Sequence, residues 1–157
     1  MSSTPSFHDQ FGALLRDFCS GLGLPMDEGD LGIEFSVEPH TVLIISDPRD
    51  PERVLVEVNV RLIEGRPPAL LAALHQLNDA ARLEHDWVIT LDVTNLLRIH
   101  TQRSIAHCNA SDLQTLLAEG IDRAQALHAL CESLPPDADS ITTALSERLD
   151  LSRMIRG

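Results

Sequence analysis

The stretch Arg53 to Ile63, Arg-Val-Leu-Val-Glu-Val-Asn-Val-Arg-Leu-Ile, constrains this chain more than any other. Valines at 54, 56, 58 and 60, continued by Leu62, share one face of an extended strand, because successive side chains of a strand point to opposite sides. Glu57, Asn59 and Arg61 occupy the other face. Such alternation belongs to a sheet with one packed face and one wet face, which is usually antiparallel. Something apolar must therefore cover the valine row.

Helical cover is legible on both sides of that strand. Phe7, Phe11, Leu14, Leu15, Phe18 and Leu22 recur at spacings of three and four, and Gly21, Gly23 and Pro25 end the helix they imply. Leu70, Leu71, Leu74, Leu77 and Ala81 form a second stripe after the break at Gly65 to Pro68. A third, longer helix opens at Ser111 with Gln114 as a capping box. It keeps Leu113, Leu117, Gly120, Ala124, Leu127, Cys131 and Leu134 in one seam, where small Gly120 and Ala124 allow another element to come close.

More strands surround the valine stretch. Ile33, Phe35 and Val37 alternate with Glu34, Ser36 and Glu38, and Thr41 to Ser46 is apolar on both faces. Two Asp-Pro steps between Asp47 and Pro51 turn the chain back, so a three-stranded meander is expected. Trp87, Ile89, Leu91 and Val93 alternate again, and Thr94-Asn95 turns them into a partner strand from Leu96 to Gln102. The predicted class is α+β, in the order helix-β-β-β-helix-β-β-helix. Residues 1–134 form one domain, and a C-terminal appendage over 135–157 contains a short helix through Ile141, Leu145 and Leu149.

Composition excludes several functions. All twelve basic residues are Arg, so Schiff-base and P-loop lysine chemistry are ruled out. A net charge of −12 disfavours nucleic acid, and aromatics at 3% disfavour base stacking. No apolar run is long enough for membrane insertion, and three cysteines without paired spacing suit a cytoplasmic location.

Candidate chemistry is weak throughout. Glu84, His85, Asp86, His100, His107 and Cys108 are the most suggestive metal set, yet they lack the short fixed spacing that zinc sites use. Cys108 beside His107 is not a nucleophilic pair, since neighbours on a strand point apart. No catalytic, cofactor or metal residue is therefore expected, and the chain does not read as an enzyme. Leu43, Ile45 and Leu55 are more informative. They lie opposite the valine row, where they would form either an exposed partner-binding patch or a face buried under a further layer.

The Phe-rich opening helix, the acidic segment from Gly32 to Val60, Leu70-Leu71 through Leu77-Asn78 and the hairpin from Trp87 to His100 together resemble the class I type III secretion chaperones, the family of the Tir chaperone. The likeness spans roughly residues 6 to 134. It implies a homodimer paired through Leu70, Leu74 and Leu77 of the second helix and Trp87, Ile89 and Leu91 of the fourth strand. It further implies that the N-terminal segments of secreted effectors bind at Phe7, Phe11, Leu43, Ile45 and Leu55, and that the export apparatus, with its ATPase, receives the complex. Ala81 to Asp86 replaces a glycine-rich stretch frequent in that family, and 135–157 exceeds its core pattern. Acidity and the appendage are similar to the general export-control chaperones of plant pathogens, which serve many effectors. The alternative is an adaptor or regulatory domain of the same fold, outside secretion, that binds a folded partner.

Overall fold

The computed structural model describes residues 6–64, 68–84 and 87–133. The predicted C-terminal helix, and the metal candidates His85 and Asp86, lie outside these residues. Helix α1 (Phe7–Leu22) is followed by strands β1 (Gly32–Val37), β2 (His40–Asp47) and β3 (Asp50–Leu62), then α2 (Pro68–Glu84), β4 (Val88–Leu91), β5 (Leu96–Ser104), a short 3₁₀ turn at Ile105–His107 and α3 (Ala110–Ser133). This is the expected α+β order.

Local chemistry sets the helix ends. Ser6 and Asp9 cap α1 reciprocally, each accepting from the other's backbone N–H at 3.2 Å. At the other end Gly23 adopts a left-handed conformation (φ 67°), and the Leu24 N–H donates to the Cys19 carbonyl at 2.9 Å. Helix α3 is capped differently from the Ser111 and Gln114 box read from the sequence. Asn109 and Asp112 make the reciprocal pair, at 2.9 and 3.0 Å, and start the helix two residues earlier.

All five strands pair antiparallel in one sheet of order β1-β2-β3-β5-β4. Cross-strand registers align Ile33, Ile44, Val56 and Thr101 in one row and Phe35, Val42, Val58, Ile99 and Ile89 in the next. Those rows are the packed face. Helices α1 and α3 cover it, resting on β3 and on each other. Phe11, Leu15 and Phe18 of α1 and Leu113, Ala124 and Leu127 of α3 are buried there with Val54, Val56, Val58 and Val60. Aliphatic burial at about 25 cal/mol per Å² is the main stabilising term for such an interface.

The valine row does not extend to Leu62, which is 67% exposed. Pairing of β3 with β5 slips between Asn59 and Arg61, so Val60 has no partner and the parity of the strand reverses after it. Leu62 now pairs with Leu96 on the outer side. Two histidines occupy the backbone disturbed by this bulge. His40 donates through Nδ1 to the Asn59 carbonyl at 3.1 Å, and His128 through Nδ1 to the Val60 carbonyl at 3.3 Å.

Gly120 allows a close approach, as its size suggests, and the approaching group is Trp87, while Ala124 is fully buried. A Cβ added to Gly120 would stand 2.7 Å from Trp87 Cη2 and 3.1 Å from Val58 Cγ2. The indole is thereby held in the interior of this one chain.

Candidate functional site

The outer face of the sheet is where an unsatisfied surface remains. Its rows run Gly32, Ile45, Leu55 and Gln102, then Glu34, Leu43, Glu57, His100 and Val88, then Ser36, Thr41, Asn59, Arg98 and Thr90. Ile45 and Leu55 are direct cross-strand neighbours, and Leu43 lies two residues from Ile45 on the same side. The three form a contiguous half-buried apolar patch. Gly32 lets it close at the β1 side, since any Cβ there would collide with the Ile45 side chain and the Ile44 carbonyl. Helices α1 and α3 are occupied on the opposite face, and α2 lies against β4.

Charge surrounds the patch. Arg98 pairs with Glu57 at 3.1 Å and with Asp92, and Gln102 donates to Asp47. Asp92 also accepts from the Thr94 hydroxyl and N–H at 2.7 Å and from the Leu96 N–H at 3.0 Å. These bonds, the Thr94 hydroxyl foremost, hold its carboxyl far below the usual range. The same side chain shapes the β4–β5 turn, where Asn95 takes a left-handed φ of 64°. Burial pushes the His100 imidazole down, with Arg98 adding to the shift and Glu57 and Asp47 opposing it. His100 is therefore biased toward its neutral form.

Among the described residues, no group of three or more His, Cys, Asp or Glu side chains gathers in a way that could hold a metal ion. His100 lies on the outer face of β5, whereas His107 and Cys108 follow the end of that strand. Burial raises the Cys108 thiol, with Asp112 adding to the effect, so the thiolate is disfavoured. Clefts open at two places among the described residues. One, of about 430 Å³, opens where β5 runs on past β4, beside Arg53, His100 and Gln102. The other, of about 210 Å³, lies beside α1 at Asp9, Arg16 and Met26.

The residues singled out from sequence divide into three groups. Leu43, Ile45 and Leu55 share the outer patch. Phe7 is 38% exposed near the start of α1, whereas Phe11, one turn further on, is only 1% exposed and belongs to the core. Leu70, Leu74, Leu77 and Trp87 are covered by their own chain, while Ile89 and Leu91 are half-buried on β4. Leu71, on the same helix, points outward at 39% exposure. One residue that the sequence reading used only as part of a pattern is Asn78. Its carboxamide accepts from the Ile89 N–H at 2.7 Å and donates to the Ile89 carbonyl at 2.6 Å.

Comparison with known proteins bears on this arrangement. The family described as Tir chaperone protein (CesT) matches residues 13–128. No curated protein sequence matches significantly. Among solved structures, the ExsC–ExsE complex gives a TM-score of 0.69 at 20% identity, covering 81% of this chain and 97% of the other. The HopA1–SchA chaperone–effector complex gives 0.65 at 14% identity, covering 81% and 99%. The Yersinia pestis type III secretion chaperone SycH, with a fragment of YscM2, gives 0.59 at 18% identity, covering 74% and 98%. At these identities the structural likeness establishes the fold.

Proposed function

Because the chain belongs to the Tir chaperone protein (CesT) family, a family of chaperones, we propose that it binds the N-terminal segments of type III effector proteins, keeps them competent for secretion and delivers them to the export apparatus. The observation that carries this reading is the patch of Leu43, Ile45 and Leu55, apolar, contiguous and on the face opposite α1 and α3. A folded partner would be matched by a broad flat interface. An extended segment suits instead a narrow apolar strip bordered by charge, into which alternate side chains fit.

Phe7 offers a second anchor at the exposed start of α1, with Phe11 beneath it as part of the support. Laying a flexible chain over both sites has an ordering cost, which extensive burial must offset. A homodimer doubles the available surface. The proposed dimer face is the layer formed by α2 and β4, with Leu71 exposed and Ile89 and Leu91 half-buried, while Leu70, Leu74, Leu77 and Trp87 hold that layer from within. The secretion ATPase is the proposed docking partner at export, and a cytoplasmic location follows from the role. Service to many effectors, as in the general export-control chaperones, is the narrower form of the proposal. Among the described residues no helix is long and apolar enough to cross a membrane.

An affinity pull-down from the native cytoplasm, with bound regions mapped by limited proteolysis, tests the proposal. Partners protected only near their N-termini are the expected result. Recovery of one globular partner without a protected tail would favour an adaptor of the same fold.

A further inference from the structure

Strand β4 ends the sheet, and the end of a sheet is a hazard. One side of the strand pairs with β5, leaving backbone N–H and C=O groups on the other side as a template for any extended chain. Its sequence, Val88-Ile89-Thr90-Leu91, contains no charge and no proline, the two commonest means of discouraging such pairing. Within the strand itself, only its shortness is protective.

In an antiparallel pair, residues alternate between those that exchange both backbone bonds with the neighbouring strand and those whose N–H and C=O point away. Ile89 stands opposite Ile99 of β5, and both its N–H and its carbonyl are taken by Asn78 on the α2 side. A carboxamide presents one acceptor and one donor in a single plane, as a peptide group does. Asn78 therefore fills the place that a residue of an added strand would take. Leu74, Leu77, Leu70 and Ala73 are all buried along α2, so the helix that bears the carboxamide is anchored beside β4.

We propose that Asn78 is an edge plug, which closes the middle of β4 to strand addition by a second copy of this chain or by an extended client. The consequence is directional. Whatever meets the α2–β4 layer must do so through side chains and not by continuing the sheet. This inference does not depend on the effector-binding proposal, and its test uses the purified full-length chain alone.

Backbone amide exchange by NMR and molecular mass by light scattering over a concentration series would be compared for the unaltered chain, Asn78→Ala and Asn78→Asp. In N78A the Ile89 amide is expected to exchange roughly tenfold faster or more, while Val56 and Ile99 keep their rates. N78A should also form larger assemblies than the unaltered chain as concentration rises. N78D keeps an acceptor for the Ile89 N–H but loses the donor to the Ile89 carbonyl. Its Ile89 amide should therefore exchange at a rate between those of N78A and the unaltered chain, while the charge added at the edge keeps the original mass. Unchanged Ile89 exchange in N78A would overturn the plug, as would faster exchange with no growth in mass at any concentration. Should N78A fail to fold, Asn78→Ser, whose hydroxyl is too short to span both backbone groups, takes its place, and unchanged Ile89 exchange there would sink the proposal.

Discussion

Strand β3 presents two opposite environments one residue apart. Val54, Val56, Val58 and Val60 are each 3% exposed or less, whereas Leu55, Glu57 and Asn59 between them are half-buried on the outer side. The packed side is built from one residue type and tolerates no solvent. The outer side mixes apolar, acidic and amide groups, with Glu57 tied to Arg98 across the strands. Packing selects for volume and shape. The outer face instead retains apolar area beside charge, the kind of surface on which the proposed recognition rests.

Substitutions on the two faces should therefore separate stability from binding. The largest effect is expected for Phe18→Ala, which empties a fully buried site against Phe35. A loss of about 3–5 kcal/mol in denaturant unfolding is expected, and a loss below about 1 kcal/mol would mean that the α1 contact with the sheet is looser than its burial implies. Gly120→Ala comes next. Its new methyl meets the indole of Trp87, so about 1–3 kcal/mol of destabilisation is expected. The near-ultraviolet circular dichroism of the chain's one Trp should change with it.

Leu43→Asp and Ile45→Asp sharpen the comparison from the outer side. Stability should fall by only about 1 kcal/mol, while capture of effector N-termini is lost; undiminished capture would remove the patch from the proposed site. Leu71→Asp should leave folding intact and lower the mass seen by light scattering if the α2–β4 layer pairs two copies.

The smallest effect is expected from pH. His100 has its imidazole pKa lowered by burial from 6.5, so between the folded and unfolded values the unfolded chain holds more protons. Its contribution to stability is full above about pH 6.5 and is lost as pH falls through that value toward the folded one. Urea midpoints taken on either side of pH 6.5 should show this slope, and His100→Gln should flatten it. An unchanged slope would place the proton uptake elsewhere.

Much of this architecture was legible because its causes are local. The valine alternation from Val54 to Val60, the Phe stripe from Phe11 to Phe18 and the turn at Thr94-Asn95 are each contained within a few residues and appear in the structure as the periodicity implies, while Phe7 and Leu22 at the ends of the stripe are exposed. Leu43 and Ile45 were also separable from Val42 and Ile44 by parity alone. Leu62 was not, because the bulge at Val60 arises from pairing with β5, more than thirty residues further along the chain. The α3 cap was misplaced for a different reason. Asn109 with Asp112 competes with Ser111 and Gln114 on equal local terms, and the chain leaving the 3₁₀ turn decides between them.

By itself the sequence determined the class of each element, the side of each strand that must be buried, and the absence of lysine chemistry, since these follow from side-chain type and spacing. Tertiary structure alone decided that β5 lies between β3 and β4, that Trp87 fills the gap over Gly120, and that Asn78 meets Ile89. Those outcomes depend on which strands become neighbours and how closely a helix can approach them. Neither is set by any one stretch of chain.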